Sequence, residues 1–279
     1  LRYSRSRRRN GFIAFISASS LIGIALGVMA LILGLSAMNG FERELKNRVL
    51  SVVPHGELIG MEAPLPDWPR LRDYLLAQPG IEAAAPVIRL DGLLEHGSAI
   101  KGVQVRAVLP ELEANLSDAG NYMTGLGFRE LQAGEHGVIL GKTIADKLGV
   151  KIGDPVTLLL PQGGDETGIK NPRRETLTVV GLLEIGGQLD GVLGFMHLAD
   201  AQSITGMGSA VEGFSLKVND VLKAQSITVA AARKFPHYVY ISSWMSRQGY
   251  LYQDIQMVRT VMYVVMLMVV AVACFNIVS

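Results

Sequence analysis

Ser20-Leu21-Ile22-Gly23-Ile24-Ala25-Leu26-Gly27-Val28-Met29-Ala30-Leu31-Ile32-Leu33-Gly34-Leu35-Ser36-Ala37-Met38-Asn39-Gly40 is the stretch on which the fold turns. It lies within an uncharged run over 11–40, and a second uncharged run occupies 260–279. About 20 residues at ~1.5 Å rise cross the ~30 Å hydrocarbon core of a bilayer, so each run is long enough to span it. Two spans place both ends of the chain on one side of a membrane and everything between them on the other. The sequence thus predicts membrane helices that carry a large extracytoplasmic domain.

Working outward, Arg2, Arg5, Arg7, Arg8 and Arg9 precede the first run with no acidic residue among them. After it, Arg43, Lys46 and Arg48 are diluted by Glu42 and Glu44. Lys and Arg mark the cytoplasmic flank, which puts residues 1–11 inside and 41–259 outside. The formal net charge is +1, so without those arginines the rest carries −4, and no nucleic-acid face is expected. A cleaved leader is the competing reading, but the run far exceeds a ~7–15-residue signal core. The single cysteine, Cys274, lies in the second run, so the outer domain must be stable through its core alone. The chain opens on Leu1 and closes on Asn276-Ile277-Val278-Ser279, and further protein with more spans is expected to follow.

Gly23 and Gly27 form a GxxxG pattern, extended by Gly34 and Ala37. Small residues let helices approach closely in lipid, where no hydrophobic drive exists between them. A helix–helix seam through Gly23, Gly27 and Gly34 is one reading, and the ordinary abundance of glycine in membrane helices is the other. Leu31, Leu35 and Met38 offer a bulkier surface for lipid. Helical period continues through 41–50, where Glu42/Lys46 and Glu44/Arg48 are favourable i,i+4 pairs. The segment 250–259 has no glycine or proline and leads into the second run. Both spans are therefore expected to extend as stalks, over 41–50 and 245–259.

The outer domain reads as a strand over 55–59, a helix over 68–78 and strands over 84–94 and 99–109, punctuated by Pro79-Gly80 and His96-Gly97. A strand, a helix and a strand return at 214–218, 221–235 and 238–242. Between these two βαβ-like halves lies an insertion with strands over 137–140, 155–160, 175–183 and 192–197, and helices over 142–148 and 199–205. Gly141-Lys142-Thr143 mimics the end of a phosphate-binding loop, but His136 stands where the first glycine belongs. The polar segment 162–174 is expected to protrude as a hairpin; Asp165, Lys170 and Arg173 are its candidates for partner contact, a solvated turn being the alternative. The histidines are scattered, no cysteine joins them, and no nucleophile elbow is present, so no catalytic or metal site is expected. Asp190 and Asp254 read as solvated surface acids.

Ser36-Ala37-Met38-Asn39-Gly40-Phe41-Glu42-Arg43-Glu44-Leu45 and Val52-Val53-Pro54-His55-Gly56-Glu57 resemble the lipoprotein-releasing permease family (LolC/LolE) of Gram-negative inner membranes. Gly187-Gln188-Leu189-Asp190, Tyr238-Val239-Tyr240-Ile241 and Gly249-Tyr250-Leu251-Tyr252-Gln253-Asp254-Ile255-Gln256-Met257 look most like the LolE side of that family. The resemblance implies a mechanotransmission ABC transporter, related to MacB and FtsX permeases, that extracts triacylated lipoproteins and passes them to a periplasmic chaperone. It implies an inner-membrane, multi-pass location and an outer α+β domain with a MacB-like Porter lobe (51–110 and 213–244) and a Sabre lobe (111–212). Its implied partners are a LolC-like permease, a LolD-like ATPase dimer that binds the ATP and magnesium, and a LolA-like chaperone. No cofactor is expected in this chain, and no covalent chemistry.

Acyl chains leaving a bilayer need an apolar surface, since each buried CH₂ is worth ~0.8 kcal/mol. Leu35, Met38 and Phe41 on the first span, with Met257, Val261 and Tyr263 on the second, are the candidates for it. Ordinary helix packing is the alternative for each. Two other functions fit the same plan: a related permease for different cargo, and a two-span receptor with an external sensor.

Overall fold

A computed structural model of the chain describes residues 11–44, 50–62, 64–125, 127–161 and 171–278. Within the two longest helices it describes the side chains of 21–40, 244–246 and 257–271. The chain forms two compact units, 1–45 with 249–279, and 46–248.

The first unit is built from α1 (Gly11–Glu44) and the membrane-proximal part of α7 (Trp244–Val278). Among the described residues Leu21–Gly40 is long and apolar enough to cross a membrane, and Met257–Ala271 is a shorter apolar stretch. The expected second span over 260–279 runs beyond those described side chains. The helices pair antiparallel. Val269 lies 3.5 Å from where a Cβ on Gly27 would sit, and one on Gly34 would overlap the end of Met262. Arg259 donates to the Asn39 side-chain carbonyl at 3.2 Å.

The second unit is α+β. Its first sheet takes β1 (Gly56–Gly60), the start of β2 (Ile81–His96), β8 (Gly213–Val218) and β9 (Val239–Ser243) in the order β2-β8-β1-β9. Every neighbouring pair is antiparallel. The two halves read from the sequence are thus split β-α-β units that interleave, the ferredoxin-like arrangement. α2 (Trp68–Leu76) and α6 (Ala224–Arg233) cover one face. Pro69 opens α2, Leu71 and Leu75 are its buried stripe, and the chain turns at Gly80 with φ 87°. α6 buries only small groups, Ala224, Thr228 and Ala231, and sits close against Gly56, where any Cβ would overlap Thr228.

The insertion closes on itself. β3 (Ala99–Val108) pairs with β2 and with β7 (Leu193–His197), and β7 pairs with β4 (Gly137–Gly141). β4 pairs with β6 (Arg173–Leu183), β6 with β5 (Pro155–Leu160), and β5 with the far half of β2. The result is a closed barrel filled by Leu94, Val103, Val105, Leu140, Leu158 and Met196. Closure removes the edges an open sheet would expose. α3 (Pro110–Leu116), α4 (Lys142–Leu148) and α5 (Leu198–Thr205) pack around it.

The expected lobe boundary at 110 is displaced. β2 is one 16-residue strand that pairs with β8 over 81–87 and with β3 over 88–96. The strand over 99–108, assigned from sequence to the first lobe, is a barrel strand. Turn signals locate strands, but they do not say which sheet a strand joins.

Candidate functional site

The helix pair shows why some small residues in α1 matter and others do not. Ile24, Gly27, Leu31, Gly34, Leu35 and Met38 form its less exposed stripe, with Leu31 buried. Gly27 and Gly34 lie on the seam with α7 and let the backbones approach. Gly23 has nothing within reach of a Cβ, so it is not part of this seam. Leu35 and Met38 share the seam stripe, whereas Met257, Val261 and Tyr263 face outward, with Met257 69% exposed. The described lipid candidates are therefore divided between the seam stripe and the outward side of α7. The side chains of Phe41 and Asp254, and residues Asp165 and Lys170 altogether, lie outside what is described. Arg173 is paired with Glu175 at 2.6 Å, and Lys142 of the phosphate-loop mimic with Glu184 at 2.9 Å.

In the outer domain, the chain segments that continue to the two helices leave side by side. Leu50 and Val52 are buried, and the Ser51 carbonyl accepts from Asp118 N–H at 2.8 Å. At the other exit, Ser243 and Ser246 bond each other's backbone N–H across the first turn of α7, a reciprocal cap. Trp244 between them is buried, and its indole donates to the Val221 carbonyl at 2.8 Å.

His55 ties the two exits together. Its carbonyl accepts from Trp244 N–H at 3.1 Å, and its ring Nε2 lies 3.2 Å from the Leu50 carbonyl. Nδ1 accepts from Val218 N–H at 3.1 Å, so the neutral ring protonated on Nε2 serves both neighbours. Burial lowers its pKa below 6.5, opposed in part by the Leu50 and Val218 backbone. A lowered folded pKa gives stability that is full above 6.5 and declines as pH falls through it. Acidification from about pH 7.5 to 5.5 is expected to lower the melting temperature of the outer domain. In a His55→Gln chain that part of the fall should vanish; an unchanged acid limb would show that another group causes it.

The sheet face without helices meets the outer wall of the barrel through charge. Glu57 on β1 is fully buried and accepts from Arg106 on β3 at 2.5 Å. The second Arg106 amino group donates to Ser215 on β8 at 2.7 Å. Arg89, at the midpoint of β2, binds Glu212 through its backbone N–H at 2.6 Å and its guanidinium at 2.9 Å. It also stands 3.8 Å from the other Glu57 oxygen. Sequence reading missed this cluster. The one available signal was charge inside apolar strands, Glu57 before Leu58-Ile59 and Arg106 within Val105-Arg106-Ala107-Val108.

Asp190 is a correction of the same kind. It is buried, not a surface acid, and its carboxylate accepts from Ile185 and Gly186 N–H, both at 2.9 Å. Those bonds fold the 185–190 loop beside Leu189, which lines a cavity of about 150 Å³ with Val52, Pro54, Phe195 and Trp244.

A closed barrel inserted into a split β-α-β sheet, with both exits continuing into apolar helices, is the class of domain this chain carries. Residues 17–234 match the family profile of the MacB-like periplasmic core domain. The chain is 41% identical to the lipoprotein-releasing system transmembrane protein LolE of Haemophilus influenzae, over all of this chain and 68% of that protein. Against LolC of the same organism the identity is 26%, over 100% of this chain and 69% of that one. LolC of Neisseria meningitidis serogroup B is 35% identical, again over the whole chain and 68% of its own length. The extracellular domain of the noncanonical ABC-type transporter YknZ from Gram-positive bacteria aligns with 67% of this chain and 97% of its own, with TM-score 0.44 and 14% identity. The chain belongs to the LolC/LolE family of lipoprotein-releasing transmembrane proteins.

Proposed function

We propose that this chain is a LolE-like permease subunit of an ATP-driven transporter in a bacterial inner membrane. Its work is to extract triacylated lipoproteins and release them to a periplasmic chaperone. The observation that carries this reading is the 41% identity to LolE along the whole chain. The antiparallel apolar helix pair and the domain joined to it at both ends support it. In this reading a LolC-like permease completes the membrane part, a LolD-like ATPase dimer binds ATP and magnesium, and a LolA-like chaperone takes the cargo. The chain itself does no bond chemistry, and the polar segment 162–174 is a candidate for partner contact.

Acyl chains would meet the outward side of α7. Photocrosslinkers at Met257 and Tyr263, in membranes holding the assembled complex and a triacylated lipoprotein, are expected to give adducts that disappear during ATP turnover. Met38, on the seam stripe, is expected to react less. Lack of any adduct in an active complex would remove the acyl-contact assignment. If depletion of the full-length protein left lipoproteins correctly exported, the lipoprotein reading itself would fail in favour of other cargo.

A further inference from the structure

The seam between sheet and barrel holds more acids than bases. Facing one another across it are Glu57 on β1, Arg89 on β2, Arg106 on β3, Glu113 on α3 and Glu212 just before β8. Lys217 on β8 meets α3 only at its exposed end, 3.5 Å from the Asn115 carbonyl. Arg106 is occupied by Glu57 and Ser215, and Arg89 by Glu212. Glu113 is left over. It is 1% exposed, and neither carboxyl oxygen has a partner in hydrogen-bond geometry among the described residues. The Ser117 hydroxyl, one turn on, lies near without reaching that geometry.

A buried ionised carboxylate without its own cation is unfavourable, and the neutral acid is the way out. Burial raises the Glu113 pKa most; Arg106 opposes the rise, and the nearby Glu57 charge adds to it. We propose that Glu113 carries the proton that neutralises this buried cluster, and that its loss loosens the seam between sheet and barrel. α3 packs on β2 and β8, so the repulsion acts where the two sheets share a strand. A folded pKa above the unfolded value gives stability that is complete below about 4.5 and is lost as pH rises through the folded value.

The test compares the full chain in detergent with Glu113→Gln and Glu113→Leu, following the melting temperature of the outer domain from about pH 5 to 9. Over the range where Glu113 titrates, the wild type should fall by about 3–5 °C per pH unit relative to both variants. Its infrared spectrum should show a protonated-carboxyl band at neutral pH that both variants lack. Parallel pH profiles for the three chains would overturn the proposal. If neither variant folds, the wild-type spectrum alone decides, because absence of that band also overturns it.

Discussion

Arg106→Met is expected to destabilise the outer domain by about 3–5 kcal/mol, because it strands a buried charge. Glu57 is fully buried and faces that guanidinium at 2.5 Å, and Ser215 loses its donor in the same change. Methionine keeps much of the arginine stem, so lost packing is a small part of the effect. Denaturant unfolding of the full chain in micelles measures it. The double variant Arg106→Met/Glu57→Leu should recover most of the loss, since replacing a whole buried pair by apolar groups is often neutral. A single-variant loss below about 1 kcal/mol, the range of an exposed pair, would show that water reaches the seam.

Trp244→Ala is expected to cost about 3–5 kcal/mol as well, and to reduce lipoprotein release by the assembled complex more strongly than that loss alone explains. The indole is 2% exposed, bonded to the Val221 carbonyl, and borders the cavity of about 150 Å³ beside Val52 and Phe195. Its removal enlarges a void the neighbouring strands cannot close. It also frees the first turn of α7, the helix that continues toward the membrane. Trp244→Phe keeps most of the volume and loses only the hydrogen bond, so its effect should be about 1–2 kcal/mol. Release activity that survives Trp244→Ala at a temperature where the domain stays folded would separate the anchor from the transport step.

Much of this architecture could be read in advance, for physical reasons. Long uncharged runs and paired turn residues are local signals, and the strands at 137–140 and 155–160 and the helix at 142–148 appear where they were expected. Barrel closure was not legible, because β3 meets β7 from some 90 positions away and no local pattern encodes that partner. The half-buried seam stripe could be guessed from Gly27 and Gly34, but Gly23 shares their spacing and not their neighbour. Glu57, Arg106 and Asp190 were missed because alternation assigns polar strand and loop residues to solvent. Here the second face of the sheet is covered by a barrel, and a polar residue there must find a partner.

The shared strand also sets an order of events during synthesis. Gly56 on β1 pairs with Leu216 on β8, so the first strand to reach the far side of a membrane must wait for nearly the whole domain to follow. Until then β1 and α2 have no sheet to complete. The barrel needs only residues up to His197, and it holds the far half of β2, which leaves the middle of β2 at Val87 ready to meet Gly213, where β8 begins. Ring formation thus shortens the long loop that β1 and β8 would otherwise have to close unaided. On this order the inserted lobe is expected to close before the four-stranded sheet is completed. A chain stalled before β8 would present a closed barrel whose β2 leaves an unpaired edge over 81–87, a site open to wrong pairing.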